Sequence, residues 1–440
     1  MNQKRTVAQH TQPVVDYGQG SYVFDKTGKR YIDGSGGPAV YCLGHANKEI
    51  NDALKAQLDR IAHGYRGNFT SDPLEELQSI MAKCCGAGFD NMLFVTGGSE
   101  AVESCLKLAL QYQQAIGETK RVRFIARHRS WHGNTLGALG VSGFSQRRGL
   151  YEGALAAASF VSAANAYRPP EVVAPEQLVA YLAAELDREI DAAGTENVCA
   201  FIFEPVVGAA GGAVPAPPGY AEAIREVCDH HGVLVIADEV MCGAGRTGTW
   251  RALEHDAVQP DIMSVAKGLG GGYIPLGAAI YHDRIAEPIN REHGGAVSGH
   301  TFSGHTTACA GALAVQKIIA RDGLLERIRT KGLWLMGALK DALDDHPHVG
   351  DIRGRGYFIG VEFVADRTTR APFDAEQLVF AQIRDTAFAN GLICYPVGGN
   401  VDGVRGDHAI LAPPYNASDS ELVEIVDKFV TTCQQVLPES

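Results

Sequence analysis

Val233-Leu234-Val235-Ile236-Ala237-Asp238-Glu239-Val240 settles how this chain folds, because an uninterrupted apolar run ends on two carboxylates. A short run of this kind, rich in β-branched residues, predicts a parallel strand buried on both faces. It delivers Asp238 to the strand's carboxyl end. Beyond it come Gly243-Ala244-Gly245-Arg246-Thr247-Gly248, then Pro260-Asp261-Ile262-Met263-Ser264-Val265-Ala266, then Lys267 ahead of Gly268-Leu269-Gly270-Gly271-Gly272. A lysine between an apolar strand and a glycine-rich stretch can be held away from water. Desolvation lowers its pKa and leaves the neutral amine free to attack a carbonyl, which is how a Schiff-base lysine is made.

Outward from this stretch, strand-like runs alternate with helical ones. Asn91 to Val95, Arg121 to Ala126, Cys199 to Phe203 and Leu234 to Ala237 read as strands; Ala101 to Gln114 and Ala221 to His231 read as helices between them. The alternation predicts an α/β fold with a mostly parallel sheet covered on both faces. Arg353-Gly354-Arg355-Gly356-Tyr357-Phe358-Ile359-Gly360-Val361-Glu362-Phe363 reads as one glycine-led strand whose two arginines are structural.

The 440 residues suffice for two or three domains and a large core. A net charge of −12 without a long basic run argues against nucleic acid and anionic membranes as partners. The ten cysteines include no Cys-x-x-Cys pair, and they read as buried free thiols of a reducing compartment. Met1 to Asp16 is polar, and no apolar run reaches membrane-spanning length, so the expected location is the cytoplasm.

Two further runs bear on ligands. Phe94-Val95-Thr96-Gly97-Gly98-Ser99-Glu100 has the form of a strand turning through glycines into a helix, which offers backbone N–H groups to phosphate. It lacks the lysine of a Walker loop, so a nucleoside triphosphate does not fit, and a plain strand-to-helix turn is the alternative. Gly243 to Gly248 spells G-x-G-x-x-G, but Glu239 to Cys242 separate it from the strand, Pro260 cuts the next segment short, and no acid lies between Asp261 and Asp283. A dinucleotide-binding dehydrogenase is therefore disfavoured. His128 and His132 are four apart, yet no carboxylate or cysteine completes a metal set and Gly133 argues for a turn, so no metal is expected.

Together, Asp238-Glu239-Val240, Gly243 to Gly248 and Lys267 resemble the signature of the class III, or omega, family of pyridoxal-phosphate aminotransferases, and the likeness runs from Tyr22-Val23-Phe24-Asp25 to Ala412-Pro413-Pro414. The resemblance implies fold type I, with a large cofactor domain at residues 61–310 and a smaller α+β domain built from residues 1–60 and 311–440. It implies that Lys267 binds the aldehyde of pyridoxal 5'-phosphate and that Asp238 faces the pyridine nitrogen, where a buried carboxylate keeps the ring an electron sink. It assigns the phosphate to Gly98 and Ser99, the ring faces to Trp131 and Val240, and further cofactor contacts to His132 and Glu204. Most relatives carry tyrosine or phenylalanine where this chain has Trp131. Thr301, in His300-Thr301-Phe302-Ser303-Gly304-His305, matches a threonine that reaches the neighbouring subunit's phosphate, which implies a homodimer or a dimer of dimers.

Relatives acting on ornithine or 4-aminobutyrate use a glutamate five residues after that of Glu-Pro and an arginine shortly before Pro-Pro. Here Ala209 and Ile410 stand in those places. Their joint absence points to transfer from an amine or omega-amino acid to a keto acid, with pyruvate favoured over 2-oxoglutarate. The mobile arginine of such relatives corresponds to Gly403, and Arg405 is the available substitute; Tyr22, Tyr41 and Trp131 are the other expected substrate contacts. A racemase, aminomutase or decarboxylase would share the same cofactor core, and a non-catalytic cofactor-binding protein is the remoter alternative.

Overall fold

Leu234–Asp238 is the middle strand of a seven-stranded sheet in the computed structural model, which describes residues 12–170 and 173–437. Of the polar amino-terminal stretch, residues 1–11 lie outside the described residues. The strand order is Asn91–Val95, Gly277–Tyr281, Ile262–Val265, Leu234–Asp238, Val198–Phe203, Arg123–Arg127, Ala158–Val161. Only Gly277–Tyr281 runs antiparallel to its neighbours. Every side chain of Leu234–Asp238 and Val198–Phe203 is buried, as continuous apolar runs in a covered parallel sheet require.

The helices Gly98–Ala115 and Tyr220–His231 contain the expected segments. The first starts three residues earlier than expected, because Gly98-Ser99-Glu100 already form its first turn. The strand expected from Arg121 starts at Arg123; the Arg121 guanidinium instead donates to the carbonyls of Val198, His231 and Gly232. The G-x-G-x-x-G run opens no helix. It is a buried series of turns from which Arg246 donates to the Pro413 carbonyl at 2.7 Å and stacks on Tyr415 at 4.6 Å, tying it to the chain's carboxyl-terminal part.

Both chain ends build the rest. Val15–Gln19, Tyr22–Asp25 and Arg30–Asp33 form a sheet completed by Leu392–Ile393. A second sheet has the order Val349–Arg355, Phe358–Phe363, Asp407–Leu411, Tyr395–Gly398. The single strand expected over 353–363 is therefore a hairpin. Its turn needs Gly356, which has φ +57 and lies so close to the Thr247 backbone that a Cβ would sit 2.6 Å from the carbonyl carbon. Arg353 is buried against Glu362 at 2.6 Å and the Gly211 carbonyl at 2.6 Å, and Arg355 pairs with Asp256 at 3.0 Å.

The boundary expected at residue 310 falls inside the continuous helix Thr306–Arg321. Its first half, through Ala308, Cys309, Ala312 and Leu313, packs into the core under the seven-stranded sheet. Its second half, through Ala314, Val315, Ile318 and Ile319, packs into the core of the terminal sheets. A helix buried on nearly all sides serves both cores without a break in the chain. Among the described residues no helix is long and apolar enough to cross a membrane.

Candidate active site

Five parallel strands of the large sheet end along the same edge, and residues at or just past their carboxyl ends line one cavity of about 280 Å³. Leu234–Asp238 contributes Asp238, and Ile262–Val265 is followed by Lys267. Val198–Phe203 leads to Glu204, Arg123–Arg127 to Trp131 and His132, and Asn91–Val95 to Thr96, Gly97, Gly98 and Ser99. A crevice outside the carboxyl ends of parallel strands is where open α/β sheets bind ligands.

Asp238 is only 3% exposed, yet it is well supplied with donors. His132 Nδ1 lies 2.7 Å from Oδ2, while the Ser264 hydroxyl and the Val240 N–H each donate to Oδ1 at 3.0 Å. Three such partners offset the desolvation of a buried carboxylate. Ser264 reaches it because the parallel register sets the two residues opposite one another. His132 is held in turn by its backbone N–H, which donates to the Ser142 hydroxyl at 2.8 Å.

Lys267 is partly buried in the cavity wall, and desolvation pushes its amine down to about 8; the charges of Asp238 and Glu204 pull it partway back. Its φ of +44 is a left-handed conformation that a residue with a Cβ adopts at a cost. Gly270 and Gly271 donate back to the Lys267 carbonyl at 3.1 and 2.9 Å, fixing the tight turn that aims the side chain at the cavity. Burial raises Glu204 above the usual carboxylate range. Its two oxygens accept the N–H groups of Trp131 at 2.9 Å and Gly208 at 2.8 Å, so it fastens two loops of the cavity wall.

At the far end the helix Gly98–Ala115 starts without a side-chain cap, leaving first-turn N–H groups directed at the cavity. A Cβ on Gly98 would come within 2.8 Å of Val240, so only glycine lets the two segments meet. Ser99 Oγ accepts the Asn134 N–H at 2.9 Å, joining this turn to the Trp131 loop. The donor set suits a planar ring with a basic nitrogen toward Asp238, a carbonyl toward Lys267 and an anionic group at the helix start.

Lys267, Asp238, Gly98, Ser99, Trp131, His132, Glu204 and Val240 thus share one cavity. Thr301 does not line it and is exposed in this chain. Tyr22 sits in the amino-terminal sheet, where its hydroxyl donates to Glu424 at 2.9 Å. Tyr41 neighbours the lining residue Val40 but packs its ring against His45, tilted, with centroids 4.6 Å apart. Arg405 lies outside the cavity, its Nε and backbone N–H both bonded to Asp402 at 2.7 Å. Its apparent freedom in the sequence disappears because an acid three residues earlier clasps it. His128 packs against Phe160 while His132 meets Asp238, so the two imidazoles do not converge. Ser264, Ser142, Val40 and Ile274-Pro275-Leu276 escaped the sequence reading, since their place depends on register and long-range packing.

The chain matches the family described as Aminotransferase class-III over residues 4–433. It is 41% identical over 424 residues to an uncharacterized aminotransferase of Bacillus subtilis, covering 96% of this chain and 95% of that one. It is 34% identical over 418 residues to an adenosylmethionine-8-amino-7-oxononanoate aminotransferase of Nitratidesulfovibrio vulgaris, covering 94% and 75%. A thermostable (S)-enantioselective omega-transaminase from Thermomicrobium roseum superimposes with a TM-score of 0.90 at 32% identity, over 97% of this chain and 93% of that one. The chain belongs to the class III aminotransferases and is an aminotransferase of pyridoxal-phosphate fold type I.

Proposed function

We propose that this enzyme uses pyridoxal 5'-phosphate to transfer an amino group from an amine or omega-amino acid to a keto acid, with pyruvate as the acceptor. The observation that carries this reading is a desolvated Lys267 amine and a buried, donor-rich Asp238 carboxylate in the same cavity. When bound, the cofactor supplies an aldehyde and a ring that withdraws electrons from the substrate carbon. Asp238, held by His132 and Ser264, would keep a proton on the ring nitrogen. Lys267 would hold the cofactor through its Nζ and, with that amine free, would carry the proton to and from the substrate carbon. Gly98 and Ser99 would hold the phosphate, Trp131 and Val240 would confine the ring, and Glu204 keeps the Trp131 loop in place.

The acceptor is chosen by two apolar positions. Ile410 is buried in a cluster with Val206, Met241 and Phe358, and Ala209 is buried beside the Gly208 turn. No fixed arginine can stand there to receive the second carboxylate of 2-oxoglutarate. Pyruvate has a single carboxylate.

The proposal includes a homodimer, or a pair of them, in which Thr301 completes the partner's phosphate site. Its support is an apolar face beside Thr301: Tyr65, Phe69 and Phe302 are 62%, 70% and 52% exposed, and the Arg66 guanidinium donates to Ser303 at 3.2 Å, joining the two segments. Ten free cysteines suit the reducing cytoplasm. The test is keto-acid-dependent turnover across a panel of amines, together with borohydride reduction. The expected result is turnover and a reduced cofactor on the Lys267 peptide; a label on any other lysine overturns the assignment.

A further inference from the structure

The cavity offers a substrate carboxylate little to bind. Its acidic lining residues are Glu204 and Asp238, and its basic ones are Lys267, engaged with the carbonyl chemistry, and His132, engaged with Asp238. A cation for the carboxylate must come from the rim, where Arg147 lies over the Trp131 ring, Arg129 precedes Trp131 by two residues and Arg405 belongs to the 399–406 loop. Arg129 donates through Nε to the Val401 carbonyl and feels the charge of Asp402. Arg405 is bonded to Asp402 at 2.7 Å. Arg147 is exposed and, among the described residues, has no carboxylate partner.

Arg147 is held by a different means. Its guanidinium carbon lies 4.6 Å from the centroid of the Trp131 ring and 5.7 Å from that of Phe144. Trp131 lines the cavity, and Phe144 packs with it in one apolar cluster. Stacking uses the face of a guanidinium and leaves its N–H groups free in the plane, the geometry that grips a carboxylate with two parallel bonds. The helix Ser145–Arg148 is itself pinned: a Cβ on Gly403 would collide with Ser145 and one on Gly399 with Gln146, so the 399–406 loop lies directly against it. The indole therefore presents a cation of fixed position and unspent hydrogen-bonding capacity.

We propose that Arg147 is the specificity residue that receives the carboxylate of the acceptor or of an omega-amino acid donor, with Trp131 as its platform. This rests on the amino-transfer reading above. The test compares kcat/KM for pyruvate and for propanal, with one amine donor, in the wild type, Arg147→Gln, Arg147→Lys and Arg405→Ala. Arg147→Gln should lower the pyruvate-to-propanal ratio by at least about tenfold, through KM rather than kcat, and Arg147→Lys should recover part of it. Arg405→Ala should shift the ratio less than either. An unchanged ratio in Arg147→Gln, an equal fall for both acceptors, or a larger shift in Arg405→Ala overturns the proposal. Equal falls would mean that Arg147 merely steadies Trp131. If the wild type aminates neither acceptor, the amino-transfer reading fails first and the role of Arg147 falls with it.

Discussion

The floor of the cavity and its rim are built by opposite means. On the floor, Asp238 ends one fully buried strand and Lys267 follows another, and register sets Ser264 against Asp238. At the rim, Trp131 is half-buried, Arg147 is exposed and the 399–406 loop mixes buried glycines with exposed residues; they are held by stacking and by glycines too close to neighbours to bear a side chain. Buried strands cannot shift without breaking hydrogen bonds in a low-dielectric interior, so the floor preserves chemistry. Loops tolerate substitution, so the rim can vary without disturbing the floor.

The contrast is open to direct challenge. The largest effect expected is on the floor: Lys267→Ala should lower amino transfer by more than about 10⁴-fold while the phosphate end still binds cofactor, because it removes both nucleophile and base. Absorbance-monitored half-reactions measure this, and activity near wild type would break the assignment. Asp238→Ala should cost about 10²- to 10³-fold in kcat, since the ring loses its charge partner and His132 loses its own.

The dimer is tested by mixing two inactive chains, Lys267→Ala and Thr301→Ala. With subunit exchange verified, about a quarter of the sites should recover both residues and regain activity. Activity no higher than either parent would place Thr301 in its own subunit's service.

At the rim the effects are smaller. Pyruvate should exceed 2-oxoglutarate by at least roughly tenfold in kcat/KM, or about 1.4 kcal/mol, because no fixed arginine stands at position 410 to pair with the second carboxylate. The smallest effect is on pH. With Lys267 near 8, its nucleophilic neutral form increases as pH rises, so cofactor loading onto the apoprotein should speed up about fivefold between pH 7 and pH 8. Above that the gain should be less than about twofold. A rate still climbing tenfold per unit at pH 9 would mean that the amine is not desolvated.

Legibility in the sequence divides along the same line. The apolar run into Asp238, the glycine stretch after Lys267 and the Gly98-Ser99 turn are local patterns tied to local causes, and each occupies its expected place. Tyr22 and Arg405 lie away from the cavity because their partners, Glu424 and Asp402, depend on where the chain ends fold and how a loop curls. The 353–363 run departs from expectation because a single glycine turn converts one strand into two.

By itself the sequence determined the α/β class, the aminotransferase family and the pairing of a desolvated lysine with a buried aspartate, since hydrophobic period and strand-end position are written locally. Tertiary structure alone decided that Ser264 and His132 hold that aspartate, that one helix joins two cores, and that Arg147 rather than Arg405 stands uncommitted beside the cavity. Register and loop packing bring together residues far apart in the chain, and no local pattern encodes which of them will meet.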